Sequence, residues 1–498
     1  MNLVITHKPI TIKIVSLPPK FNPIKMLFNS IEFLIFFPIV TLLFYLMPHK
    51  WRWLMLLAAS CFFYMWFIPK YILILLITIL IDYSAGILIE KWKDDIPRKK
   101  TCLVISIVST CLVLFIFKYL NFCSANLVAL AQHFGWSHPQ KILDIALPIG
   151  LSFHTFQSLS YVIEVYRGNQ KAERHFGYYA LYVMFYPQLV TGPIERPQNL
   201  LRQLHEHKEL QYDNIANGLR LILFGLFLKM VVADNLGAYV DKIYENPFAY
   251  SSSDILLGML FYSFQIYGDF FGYSTIALGC ALTMGFTLMD NFKTPYLSGS
   301  IQEFWRRWHI SLSTWFRDYL YIPLGGNRVT IPRWALNTLI VFTVCGIWHG
   351  ANWTFMIWGF TYGVLLILER GLRNIHLFDK IEGKTGRTII NICNVAKTFL
   401  IVTLLWSVFR ATSFGNLHDL FTALFHNGAM DNQLQVAPIA WIALILFIIA
   451  DILIRKSRFD VWCGQQKTLV RWCIYTFLLF AIIALSSVEQ IPFIYFQF

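Results

Sequence analysis

The sequence predicts an all-α polytopic membrane protein, with about 11–13 transmembrane helices and re-entrant or interfacial helices between them. Three observations carry that prediction. Only 14% of the 498 residues are charged and 57% are apolar, whereas a soluble chain spends about a quarter of its residues on charge. The apolar residues fall in long runs with little relief between them. Lys and Arg crowd some connections and are absent from others, as happens to loops on opposite sides of a membrane. A disordered chain, a disulfide scaffold and a nucleic-acid-binding domain are all excluded. The net charge of +13 is read as basic cytoplasmic loops, with the lipid bilayer as partner and no nucleic acid.

Taken in order, residues 1–25 are not a signal peptide. Lys8, Lys13, Lys20 and Lys25 are interspersed with Pro9, Pro18, Pro19 and Pro23, so no apolar core forms. The segment is read as an N-terminal extension from a mis-called start, with Met26 the natural first residue of a single domain over 26–498. Apolar runs follow near 30–47, 53–68, 71–89, 102–120, 145–163, 218–236, 254–284, 334–348, 352–368, 389–409, 438–454 and 470–487. The run 177–191 is short, rich in Tyr and bounded by proline and glycine, which fits a re-entrant or interfacial segment better than a crossing. Nine cysteines show no CxxC spacing and read as small hydrophobes rather than metal ligands.

Orientation follows from the connections. Those at 91–100, 370–387 and 455–471 are basic, while 119–140, 411–437 and 472–498 lack Lys and Arg altogether. The first set is expected in the cytoplasm and the second outside, with the C-terminus at the outer face.

The segment 301–333 is too charged to span. At about 100° per residue, Trp305, Trp308, Leu312, Trp315, Phe316, Tyr319 and Leu320 share one face of a helix; Arg306, Arg307, Thr314, Arg317 and Asp318 share the other. This predicts an interfacial helix over about 304–320, on the cytoplasmic side. His309 falls in its apolar sector. Burying a titratable group there costs free energy unless it has a partner or a task, so His309 is either a hydrogen-bonded core residue or a functional one.

His349 is the sharper case. Residues 334–368 contain no Asp, Glu, Lys or Arg. As one helix, at about 1.5 Å per residue, the run would be roughly 50 Å long, more than the ~30 Å core of a bilayer. It must break, and Gly346–Asn352 is the place. Irregular backbone at membrane depth is tolerated only where it lines a protein-enclosed cavity, so His349 is placed at a reaction chamber. Asp82, Lys118, His154, Gln157, Lys229, Asp234 and Asp269 are expected to neutralise one another or anchor helix ends, with His154 and Gln157 also candidates to line a cavity. No Gly-rich phosphate loop, HExxH helix or GxSxG elbow is present, which argues against a soluble-type nucleotide or metal enzyme.

Two long motifs, RRWHISLSTWFRDYLYIPLGGNR (306–328) and GIWHGANWTFMIWG (346–359), resemble the membrane-bound O-acyltransferase family, in particular its bacterial branch of the alginate O-acetyltransferase type. LVTGPIERPQNLL (189–201), GLFLKMVVADNL (225–236), YGDFFGYSTIALG (267–279), the opening MLFNSIEFLIFFPIV and the closing FIYFQF extend the likeness over about 26–498. The resemblance implies helices around a central chamber open from both membrane faces, in a bacterial cytoplasmic (inner) membrane. It implies acyl transfer from a cytoplasmic thioester, acetyl-CoA or another, to hydroxyls of an extracytoplasmic polysaccharide, directly or through a separate periplasmic acetyltransferase partner. His309 and His349 match the family's functional pair, the second being the one treated as catalytic. No metal and no bound cofactor is implied. Two other readings stay open from the residues: D-alanyl transfer from a carrier protein to teichoic acid, and a glycan or ion transporter without enzymatic activity. Transporters tend to show paired halves with matching broken helices, and no such repeat is visible.

Overall fold

Several helices start at a side chain that satisfies one of the first free N–H groups. The computed structural model describes residues 26–136, 148–190, 192–373, 384–426, 434–486 and 493–496; the predicted extension 1–25 lies outside them. Helix α1 (Ile31–Leu46) begins at Ser30, whose hydroxyl accepts from Phe33 N at 3.2 Å. After α2 (His49–Met65) and α3 (Ile72–Lys91), α4 (Ile96–Lys118) is capped by Asp95 with Pro97 in its first turn. Next come α5 (Leu120–His133) and α6 (Leu151–Arg167), the latter entered and left through left-handed Gly150 and Gly168. Three short helices follow: α7 (Phe176–Met184), α8 (Tyr186–Leu189) and α9 (Pro197–His205). Helix α10 (Tyr212–Leu226) runs through a π-helical stretch, Phe227–Ala233, into α11 (Asp234–Glu245). Helix α12 (Ser252–Thr283) starts from a reciprocal Ser251–Asp254 capping box. The short α13 (Ile301–Arg307) and α14 (Ile310–Phe316) precede the hairpin of α15 (Ile331–His349) and α16 (Trp353–Arg373). The chain closes with α17 (Lys384–Arg410), α18 (Phe414–His426), α19 (Pro438–Leu453), α20 (Phe459–Gly464) and α21 (Thr468–Leu485).

Among the described residues there is no strand, and nine helical stretches are long and apolar enough to cross a bilayer. The protein is a multi-pass, all-α membrane protein. The predicted non-crossing segment 177–191 is the buried pair α7–α8, of nine and four residues, too short to span.

The centre is α12, which is buried along most of its length. Its closest neighbour, α10, comes so near that a Cβ on Gly225 would lie 2.6 Å from the Gly272 carbonyl oxygen, and one on Gly279 2.6 Å from that of Gly218. Small residues at a crossing let two backbones approach where lipid supplies no hydrophobic drive for association. The hairpin uses the same device, with Gly346 packed on the backbone of Phe355 and Gly359 on that of Phe342.

Buried charges close on one another, as expected. Lys229 Nζ, on the π-helical stretch, lies 2.6 Å from Asp234 Oδ1 and 2.9 Å from Asp269 Oδ1. Asp82 instead accepts from the hydroxyls of Ser106 (2.5 Å) and Thr110 (3.0 Å) on α4.

One expectation needs correcting. The segment 304–320 is not a continuous helix: it breaks at Trp308–His309, where His309 has φ 42° and ψ 56°. The division into faces survives the break. Trp305, Trp308, Leu312, Trp315 and Phe316 are buried, and Arg306 and Arg317 exposed. The side-chain pattern therefore reports which residues face inward but not the break. That comes from a backbone pairing with a distant segment: Lys293 N donates to Arg307 O and Ile310 N to Asn291 O, each at 3.0 Å.

Candidate active site

His349 ends α15. The next helix starts only after Gly350–Asn352, where Asn352 Oδ1 accepts from Thr354 N (3.1 Å) and Asn352 Nδ2 donates to Thr412 O (2.6 Å). The break falls inside the predicted interval, and His349 is 4% exposed, which disposes of a solvated histidine. The free carbonyls at the end of α15 are taken by another helix. Lys118 Nζ donates to Trp348 O (2.6 Å) and His349 O (2.9 Å), and Tyr119 Oη to Ile347 O (2.9 Å). A cation at a helix C-terminus both fills these acceptors and opposes the negative end of the helix dipole. Lys118, expected to anchor a helix end, thus fixes the backbone that carries His349.

His309 is held from the other side. Asn291, 2% exposed, accepts on its carbonyl from Ile310 N and on Oδ1 from Ser311 Oγ (2.7 Å) and Ser311 N (3.3 Å). Its Nδ2 donates to Ser274 Oγ on α12 at 3.1 Å. This clamp fixes the two residues after His309 and with them its left-handed backbone, a conformation costing a non-glycine residue about 1–3 kcal/mol and found disproportionately at functional sites.

The two imidazoles share their neighbours. The Trp348 ring lies 6.2 Å from that of His309 and 4.9 Å from that of His349, centre to centre. On the other side Phe270 lies 4.6 Å from His309 and 4.8 Å from Tyr495, which is itself 5.7 Å from His349. Trp358 and Phe409 complete the wall, each 5.2 Å from His349. Inside this aromatic enclosure both ring nitrogens of His309, Nδ1 of His349 and Nε1 of Trp348 and Trp358 are buried with no hydrogen-bond partner among the described residues. Native proteins rarely leave buried polar atoms so; five of them gather around this one pair of histidines, and a polar group entering the enclosure would find donors and acceptors there. Burial pushes the His309 pKa down to about 3, so that ring is neutral and offers one N–H donor and one acceptor.

The remaining candidates separate from this site. His154 packs against Tyr64, and Gln157 donates to Tyr182 O at 2.5 Å. Helix α6 turns Phe153 and Phe156 toward the histidines instead, 5.4 and 5.2 Å from Trp348. His154 and Gln157, expected as candidates to line a cavity, therefore face Tyr64 and Tyr182 rather than the two histidines, since successive residues of a helix point about 100° apart. Asn291, Trp348, Phe270 and Tyr495 were not singled out. For Tyr495 a signal existed in the closing FIYFQF; for Asn291 none did, since an asparagine in a loop carries no periodicity. Ile494 N donates to Asp269 Oδ2 at 2.7 Å, which ties the C-terminal segment to α12 beside the site. Among the described residues no group of three or more His, Cys, Asp or Glu is placed to hold a metal ion.

Compared with known proteins, residues 174–413 match the model of the membrane-bound O-acyltransferase family. The chain is 38% identical over 451 residues to the probable alginate O-acetylase AlgI of Azotobacter vinelandii, covering 89% of this chain and 88% of that one. It is 34% identical over 392 residues to the peptidoglycan O-acetyltransferase of Helicobacter pylori, covering 74% and 71%. The teichoic acid D-alanyltransferase of Bacillus subtilis is 29% identical over 246 residues, covering 46% and 61%.

Proposed function

This chain belongs to the membrane-bound O-acyltransferase family and is an acyltransferase; from that membership and the enclosed histidine pair, we propose that it moves an acetyl group from a cytoplasmic thioester to hydroxyls of an extracytoplasmic polysaccharide. Transfer is direct or through a periplasmic acetyltransferase partner, in a bacterial inner membrane. The acetyl reading is preferred to D-alanylation because the likeness to the acetylating relatives runs over most of the chain, and that to the D-alanyltransferase over less than half.

The observation that carries the proposal is the cluster of buried, unpartnered polar atoms around His309 and His349. In the mechanism, His349 takes the proton of the acceptor hydroxyl as its oxygen attacks the thioester carbonyl carbon. The C–O bond forms, the tetrahedral oxyanion collapses, the C–S bond breaks, and the imidazolium returns its proton to the leaving thiolate. A general base held within reach of the proton it takes contributes typically 10²–10⁴-fold. His309, neutral and on the clamped turn, donates from its ring N–H to the thioester oxygen as charge develops there. A donor fixed beforehand in a water-poor enclosure stabilises an oxyanion without reorganising. No metal is required for these steps.

The test is the acetyl content of the exported polysaccharide, with membrane abundance measured alongside. His349→Ala and His349→Gln should each lower acetylation by about 10²–10⁴-fold at normal abundance. His309→Ala should lower turnover less, since a donor rather than the base is lost. Normal acetylation by an abundant His349 variant would place the base elsewhere.

A further inference from the structure

Asp82 stands apart from the other buried charges. It lies halfway along α3, is 0% exposed, and meets no cation among the described residues; its hydrogen-bonding partners there are hydroxyls. Ser106 and Thr110, four residues apart and so on one face of α4, donate to its Oδ1 at 2.5 and 3.0 Å. Thr110 also reaches Oδ2, at 3.2 Å. Ser158 of α6 lies beside the same carboxylate and beside the Tyr179 phenol of α7. These two residues are 1% and 0% exposed, yet neither oxygen completes a hydrogen bond with a described residue. Four helices thus bring together one carboxylate and four hydroxyl oxygens.

An ionised carboxylate removed from water is among the costliest of burials unless a cation answers it. Lys229 does so for Asp234 and Asp269; no described side chain does so for Asp82. Each hydroxyl has a single hydrogen and two lone pairs. Ser106 and Thr110 direct their hydrogens at the carboxylate, so their lone pairs remain, with those of Ser158 and Tyr179, as a set of oxygen ligands. A water molecule could meet these lone pairs but would leave the charge. A proton would neutralise the charge but turn the carboxylate into a donor, against two hydroxyls already aimed at it. A hard cation answers both needs with oxygen ligands alone. One carboxylate balances one positive charge, so a divalent ion would leave a net charge buried. The soft or imidazole ligands that suit a transition metal are not grouped here. We propose that Asp82, Ser106, Thr110, Ser158 and Tyr179 form a binding site for a monovalent alkali cation. The ion ties α3, α4 and α7 to the face of α6 opposite the one that turns Phe156 toward Trp348, since two steps along a helix rotate by about 200°. Its occupancy thereby steadies the aromatic wall beside the histidines.

The probe is sodium. Full-length protein in phosphatidylcholine nanodiscs is assayed for binding of radioactive sodium displaced by unlabelled sodium. Its thermal midpoint is compared in sodium chloride and in choline chloride at equal ionic strength. Wild type should bind displaceable sodium and melt about 2 °C or more higher in saturating sodium than in choline. Asp82→Asn keeps the shape and removes the charge, and should lose both the binding and the sodium-dependent shift. Ser158→Ala removes an oxygen that holds no described partner, so folding should be spared even if Asp82→Asn fails to reach the membrane. It should weaken sodium binding by at least about tenfold. The proposal is overturned if wild type binds no displaceable sodium, or if either variant, once folded, binds it as wild type does. An Asp82→Asn protein as stable as wild type, with no sodium effect on either, would identify a proton as the neutralising ion and overturn the proposal equally.

Discussion

Neighbouring residues of one helix, Asp269 and Phe270, look onto two buried polar clusters built on opposite principles. Asp269 joins Lys229 and Asp234, where one cation meets two carboxylates within 3 Å and a backbone N–H takes a further oxygen. Phe270 faces His309, whose nitrogens meet no partner among the described residues, on a backbone held in a costly conformation. Both clusters are almost fully buried, so burial alone does not tell structure from function. The informative difference is whether hydrogen-bonding capacity is consumed within the protein. The first cluster closes on itself and ties α12 to the π-helical stretch, α11 and the C-terminal segment; the second keeps hydrogen-bonding capacity that the proposed function assigns to a substrate.

The contrast can be broken first at Lys229. Lys229→Ala leaves two carboxylates buried without their cation, and removing one partner of a buried pair costs about 3–5 kcal/mol. Membrane abundance and thermal stability in detergent should therefore drop steeply, while His349→Ala leaves both near wild type and removes activity. A destabilised His349 variant beside a stable Lys229 variant would reverse the assignment of the two clusters.

Asn291→Ala sharpens the comparison by loosening the turn without touching an imidazole. A displacement of about 1 Å in a reacting group can cost up to about 10²-fold. Turnover per folded molecule should fall by that order, with KM for the acceptor little changed. Unchanged turnover would show that the left-handed turn is not what positions His309.

The smallest effect is expected at Lys118. Lys118→Met removes the donors to the Trp348 and His349 carbonyls, interactions worth about 1.5–3 kcal/mol when one partner is charged. Tyr119 still holds Ile347 O, so the helix end should persist and activity fall by about tenfold or less, with a lower thermal midpoint. A Lys118→Met enzyme as inactive as His349→Ala would assign Lys118 a direct part in the chemistry.

Much of this was legible in the residues themselves. A charge-free run longer than a bilayer has to break, and it breaks beside His349. The aromatic face of 304–320 is buried where the wheel puts it, and the charges of the GLFLKMVVADNL and YGDFFGYSTIALG motifs pair. These are local or one-dimensional properties: hydropathy, length and periodicity act on neighbouring residues and survive without knowledge of the rest. The break at His309 was not legible, because it depends on a backbone pairing with Asn291 and Lys293, and backbone pairing between distant segments leaves no periodic mark. Nor was the role of α6, where the polar His154 and Gln157 drew attention and Phe153 and Phe156 face the site.

The sequence by itself therefore determined that this chain crosses a membrane many times, which side each basic connection is expected to face, and that two histidines sit where ionisable groups are costly. Only the tertiary structure decided that those histidines share one aromatic enclosure, that Lys118 and Asn291 hold them, and which buried polar groups are satisfied. Hydrophobic pattern fixes how deeply a residue is buried. Whether a buried nitrogen finds a partner depends on the three-dimensional positions of atoms far apart in the chain.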